Sequence, residues 1–236
     1  MRQWLVLLAA LASTGALATP ISKPEVTVDV PDGWVEVPPE VLQAFHAELK
    51  RQAPLAQVPK YDYAFQEAAG PPWLNYPYVL VKVTPTGRPT EHDLETLPSI
   101  DLNAKVRERG DDWGKIMKDS SLGQMRYDKS ANVVWISSKS NVATIGPVTG
   151  ISGVIPTEQG FVELHGYAKE SDFPQYLPTF QRIITGARVA PHLLYRPRWT
   201  DKLGPFARFD FKQWGFALAV GALIAIFVSI YRRRQN

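Results

Sequence analysis

Residues 132–168 read NVVWISSKSNVATIGPVTGISGVIPTEQGFVELHGYA, and this stretch decides the fold class. Its apolar runs at 132–138, 148–156 and 160–168 are of strand length, and they are separated by turn-prone Gly, Pro, Asn and Ser. Connections this short favour an antiparallel sheet. Working outward, 124–129 reads as one more strand and 78–84 (YVLVKVT) as a strongly apolar central one.

Helical spacing appears on both sides of these strands. Over 40–51, Val41, Leu42, Phe45 and Leu49 share one side while Glu40, Glu48 and Lys50 stay wet, which predicts an amphipathic helix introduced by Pro38-Pro39. A second helix starts near Thr90, where Asp93 completes a capping box. The last helix begins after Ser171 and presents Tyr176, Leu177, Phe180, Ile183 and Ile184 to a core, with Pro174 and Pro178 confining its first turns. Nearer the start, Val26, Val28 and Val30 alternate with Thr27 and Asp29, Pro31-Asp32-Gly33 turns the chain, and Trp34 resumes an extended run, predicting a hairpin. Residues 53–77 show no period and are rich in Pro, Tyr and Gly, so they read as a long irregular connection with an aromatic tip at Trp73 and Tyr76. The expected fold is α+β: an antiparallel β-sheet with helices packed on it, an α/β/α sandwich, plus one C-terminal transmembrane helix.

The two ends carry the membrane signals. Residues 1–18 run from Arg2 through an apolar stretch to Ala16-Leu17-Ala18, the order of a signal peptide cut after Ala18, with an uncleaved N-terminal anchor as the alternative. Residues 213–231 hold no charge, follow Lys212, precede Arg232, Arg233 and Arg234, and place Trp214 and Tyr231 near their ends. That is the length and bracketing of a membrane span, and a buried core helix is the alternative. A domain behind a signal is translocated largely regardless of its charge, so residues 1–18 set the orientation. The expected division is a signal peptide at 1–18, an exported domain at 19–190, a basic and aromatic juxtamembrane linker at 191–212, the transmembrane helix at 213–231 and a cytoplasmic tail at 232–236. These signals, with the lack of cysteine, suit a Gram-negative inner membrane with the domain in the periplasm.

Composition narrows the chemistry. With no cysteine there is no disulfide, thiolate metal site or thiol nucleophile, so stability must come from the core. Although the formal net charge is +3, residues 19–190 hold 17 Lys and Arg against 21 Asp and Glu, whereas 191–212 hold 5 basic residues against 2 acidic ones. The basic excess therefore lies beside the span, where it can meet anionic headgroups, and nucleic acid is a poor candidate partner.

Motifs for catalysis are missing. His46, His92, His165 and His192 are scattered without metal-ligand spacing, so no metal site is expected. Glu91-His92-Asp93 falls where a helix begins and reads as capping, while Asp111-Asp112-Trp113 reads as a solvated turn. Ser152 lies between Gly150 and Gly153 outside any nucleophile elbow and has no partner base in sequence. His165, between Leu164 and Gly166 in a strand, faces a cleft or is a core or edge histidine. No catalytic residue or cofactor is expected on these grounds. The candidate partner-binding residues are Trp73 and Tyr76 in the aromatic loop and Arg196, Arg198 and Trp199 beside the span, where the collar lies on headgroups or docks on a neighbouring membrane subunit.

The opening Val28-Asp29-Val30-Pro31-Asp32-Gly33-Trp34, together with Gly160-Phe161-Val162-Glu163-Leu164 leading to Phe180-Gln181-Arg182-Ile183-Ile184, resembles the PsbP-like and DcrB-like α/β/α sandwich over most of 25–189. The resemblance implies an exported or lumenal accessory or binding protein, and it carries no reaction and no binding residue onto this chain. The insertion at 53–77 departs from the family pattern. The expected function is a membrane-anchored accessory or binding protein that recognises a partner protein. The rivals are a periplasmic enzyme using a cleft carboxylate with His165 or His92, and a small-molecule or lipid carrier with an apolar pocket.

Overall fold

The computed structural model describes residues 19–52, 58–67, 70–107, 117–142 and 145–203. The expected signal peptide, transmembrane helix and tail, and the Asp111-Asp112-Trp113 turn, lie outside the described residues. Among those that are described, no helix is long and apolar enough to cross a membrane.

Strands β1 (Thr19–Ser22) and β2 (Val26–Val30) lead through a turn to β3 (Trp34–Glu36) and helix α1 (Pro39–Gln52). Next come β4 (Tyr63–Glu67), β5 (Tyr78–Thr84), α2 (Glu91–Thr96) and α3 (Leu102–Arg107). The chain continues with β6 (Met117–Leu122), β7 (Arg126–Asp128), β8 (Val133–Val142), β9 (Gly146–Pro156), β10 (Phe161–Lys169), α4 (Phe173–Gly186) and β11 (Arg188–Val189). The large sheet runs β3-β4-β5-β10-β9-β8-β6, with β7 also paired to β8, and every pairing is antiparallel. A small antiparallel sheet, β1-β2-β11, stands apart from it. The 132–168 stretch supplies the β8-β9-β10 meander as expected from its turns.

Both faces of the large sheet are covered. On one, Val26, Val28 and Val30 of β2 and Phe180, Ile183 and Ile184 of α4 pack on Val79, Val81, Val162 and Leu164. Each such side chain contributes about 1.5–3 kcal/mol by leaving water. Two glycines make this approach possible: a Cβ at Gly166 would stand 2.5 Å from Phe180 Cγ, and one at Gly153 would stand 2.1 Å from Ile184 Cγ2. Gly153, set within a strand, is therefore part of the seat for α4, whereas Gly150 lies against Tyr167 on the opposite face. On the opposite face, α1 covers a cluster that includes Tyr61, Leu80, Val142 and Tyr167, and α2 with its continuation covers a second that includes Leu94, Met125, Val154 and Phe161.

Three local expectations are corrected. The Val26–Val30 and Trp34 strands do not form a hairpin: β2 joins β1 and β11, while β3 pairs with β4 in the other sheet. The turn is present, with Trp34 N–H donating to Pro31 O at 3.1 Å and Gly33 at φ 80°, but it hands the chain from one layer to the next. Within the supposed long connection lies β4, hidden because Ala64, Phe65 and Gln66 are all buried and leave no alternation to read. The polar strand β6 was also missed in sequence. Asn103 holds it by donating to Leu122 O at 2.7 Å and accepting from Leu122 N–H at 2.8 Å, in the manner of a neighbouring strand.

The cap of α2 forms as expected. Thr90 Oγ1 accepts from Asp93 N–H at 3.1 Å and the Asp93 carboxylate accepts from Thr90 N–H at 2.8 Å. Thr90→Ala is expected to cost about 1 kcal/mol in urea unfolding, the usual loss for a helix cap.

Candidate functional site

The expected binding residues fall at opposite ends of the central strands. Strand β5 begins with Tyr78, beside the aromatic loop, and ends with Thr84, just before Arg88; at about 3.3 Å per residue these ends are about 20 Å apart.

At the first end, Trp73 and Tyr76 are half-buried against the α1 cluster, and Tyr76 stacks on Tyr78 with ring centroids 4.9 Å apart. Burial raises the Tyr76 hydroxyl above its ordinary range. The loop is held by Gln66, itself 1% exposed, whose Oε1 accepts the N–H of buried Leu74 at 2.6 Å. Gln66 was invisible as a determinant because the strand carrying it was not read. The tip is thus a supported aromatic ridge.

At the other end, 191–203 was expected to begin a linker but is docked on the domain, so the folded unit extends past Ala190. Leu193, Tyr195 and Asp201 are buried, Leu194 forms a bridge with Thr157, and Leu193 O accepts from Glu158 N–H at 2.9 Å. Arg88 is the centre of the clamp. Its guanidinium grips Asp201 with two hydrogen bonds of 2.8 and 2.7 Å, donates to Glu158 at 3.1 Å and to Arg196 O at 2.6 Å, and lies 4.9 Å over the Tyr195 ring. Arg198 pairs with Glu158, and its backbone N–H donates to Asp201 at 2.9 Å. The bond from Arg88 outweighs burial and holds the Asp201 carboxyl down at about 2. Of the residues expected here, Arg198 serves the clamp, Arg196 contributes its backbone N–H and C=O to it, and Trp199 projects outward at 77% exposure. Sequence spacing could not find the clamp, because Arg88 and Asp201 are 113 positions apart.

Between the two helical clusters a buried polar network crosses the sheet. The register sets His165 of β10 opposite Ser152 of β9, and Glu163 opposite Lys82 of β5. Ser152 Oγ lies 2.8 Å from His165 Nδ1, and His165 Nε2 lies 3.4 Å from Glu163 Oε2 without hydrogen-bond alignment. Thr84 Oγ1 donates to Glu163, Lys82 Nζ is 3.4 Å from it, and the Tyr61 ring meets His165 edge-on at 6.0 Å. Burial alone would raise the Glu163 carboxyl, but His165, Lys82 and Thr84 outweigh it and hold it at about 2. So His165 has the partner groups that the sequence could not supply. Ser152 and His165 are 0% exposed and Glu163 is 1% exposed, so in this conformation no substrate atom reaches Ser152 Oγ. The network ties β5, β10 and β9 together. His92 sits on α2 within the capping turn, apart from this network.

An open groove of about 660 Å³ flanks the β6–β7 edge, with Trp135, Ile151 and Met125 as apolar lining and Glu95, Arg126 and Lys129 among its charged residues. Among the described residues no group of His, Asp and Glu is arranged to hold a metal ion.

No family model matches the sequence, and no curated protein matches it. Solved structures do. The solution structure of cyanobacterial PsbP from Synechocystis sp. PCC 6803 is similar with a TM-score of 0.44 and 12% identity, over 78% of this chain and 99% of that one. LpqN of Mycobacterium tuberculosis, described as involved in cell envelope biogenesis, is similar with a TM-score of 0.36 and 14% identity, over 73% of this chain and 90% of that one.

Proposed function

We propose that this chain is an exported, membrane-anchored accessory protein whose α+β domain binds a partner protein at the membrane surface. The observation that supports this reading is the clamped segment Pro191–Leu203. It is fastened to the domain by a buried ion pair, and only nine residues, 204–212, separate it from the uncharged run at 213–231. A domain tethered this closely samples a shallow layer above the bilayer, which suits recognition of a membrane-bound or periplasmic partner. The aromatic ridge at Trp73 and Tyr76, at the far end of β5, is the surface offered to that partner.

The test is affinity purification of the full-length protein from its native membrane in mild detergent after cross-linking, followed by mass spectrometry. The expected result is retention of the chain in alkali-washed membranes and one stoichiometric protein partner, lost on Trp73→Ala. Release of the chain by the alkaline wash, or recovery of the chain alone after cross-linking, would overturn the proposal.

The groove beside Trp135 supports a second reading, capture of a small amphipathic molecule, since its volume falls in the range of about 300–1,000 Å³ typical of small-ligand sites. Native mass spectrometry of the purified protein checks it, by whether a bound mass is lost on Ile151→Glu.

A further inference from the structure

We infer that the clamped end of the domain is a bilayer-facing surface, with the Trp199 indole seated at the headgroup level of an anionic membrane. The inference rests on the membrane anchoring proposed above and adds an orientation to it.

Three observations carry it. Among the described residues the exposed large hydrophobic side chains are Leu194 at 48% and Trp199 at 77%, and both lie on the clamped segment. Trp199 stands between two anchored positions, Arg198 bonded to Glu158 and Asp201 gripped by Arg88, so the backbone beneath the indole is fixed before any membrane is met. Holding a bulky apolar side chain out in water has no benefit to the fold, whereas an indole combines an apolar body with one N–H donor and partitions to the interface.

Chain length and charge select the occupant. From Leu203 the sequence reaches Gln213 in ten steps, at most about 35 Å when fully extended, so Trp199 cannot lie far from the start of the uncharged run. Asp201 is neutralised by Arg88, while the exposed Arg196 guanidinium has no ion pair among the described residues and remains free to meet a phosphate or another anionic headgroup. With this end down, the Trp73 and Tyr76 ridge faces away from the bilayer.

The absence of cysteine gives a direct test in the full-length chain. A nitroxide label is placed at Trp199→Cys, and separately at Lys139→Cys. Lys139 is 65% exposed and pairs with Thr149, eight residues before the Thr157 that bridges to the clamped segment, so it marks the opposite end of the sheet. Each variant is reconstituted at one chain per nanodisc of phosphatidylethanolamine and phosphatidylglycerol. Collision with a neutral water-soluble nickel chelate is then measured by electron paramagnetic resonance. The expected result is a collision rate at 199 at least about threefold below that at 139, as befits a headgroup-level site. Equal rates in chains that co-purify with the disc would overturn the orientation and leave the anchoring intact. Failure of the chain to co-purify with the disc would overturn both. Protection at 199 that appears only when several chains share a disc would assign the surface to a second copy, and would overturn the bilayer as its occupant.

Discussion

Arg88→Ala is expected to release the segment Pro191–Leu203 and to lower the stability of the domain by about 3 kcal/mol. Removing one partner of a buried ion pair typically costs about 3–5 kcal/mol, because the other charge is left buried and alone. Asp201, at 3% side-chain exposure, is in that position. The chain has a less costly escape: it can undock 191–203 and return Asp201 to water, giving up the burial of Leu193 and Tyr195, so the loss settles at the low end of that range. At about 2–4 °C per kcal/mol for a domain of this size, the melting temperature should fall by about 6–12 °C. Limited proteolysis with trypsin should cut after Arg198 in the variant and spare the native protein, the bond after Arg196 being protected by Pro197. Arg88→Lys should recover only part of the loss, since an ammonium cannot give two parallel bonds to Asp201 while also reaching Glu158 and Arg196 O. A variant that melts within 1 °C of the native protein and resists the protease would show that the clamp is not what holds the segment.

The second large effect is at Glu163. Glu163→Ala leaves the buried Thr84 hydroxyl without its acceptor and takes the carboxylate away from Lys82 and His165, and is expected to cost about 3–5 kcal/mol in urea unfolding. Glu163→Gln keeps the shape and an acceptor oxygen, so it should cost clearly less. The two variants separate loss of packing from loss of charge.

The same carboxylate gives a pH dependence. Glu163 and Asp201 are both held at about 2 in the folded protein, below their ordinary values of 4.5 and 3.8. The unfolded chain therefore binds more protons in this window, and stability falls as pH falls. Their contribution is complete above about pH 5 and is lost progressively as the pH drops toward 2. Glu163→Gln should flatten that acid limb, and a limb unchanged in both Glu163→Gln and Arg88→Ala would assign acid sensitivity elsewhere.

Much of the fold was legible because it depends on local rules. The strand YVLVKVT, the β8-β9-β10 meander, the amphipathic α1 and the Thr90 capping box are each written in a few consecutive residues. The misreadings share one cause. Strand β4 and the polar β6 take their conformation from a neighbour's hydrogen bonds, and Val26–Val30 and Trp34 look like a hairpin until the layers they enter are known. Trp73, Tyr76, Arg196, Arg198 and Trp199 were picked out as the aromatic and basic residues at loops, and the structure sorts them by support: a ridge pinned by Gln66 at one end, a clamp and one projecting indole at the other.

By itself the sequence determined the α+β class, the antiparallel meander, the absence of thiol chemistry and the place of the uncharged run, since each follows from composition or from periods of two and 3.6 residues. Only the tertiary structure decided that Ser152, His165 and Glu163 meet, that Gly153 and Gly166 seat α4, and that Arg88 locks Asp201 across 113 positions. Those outcomes depend on strand register and on which faces are brought together, and a buried charge or a missing Cβ has no period along the chain by which it could be read.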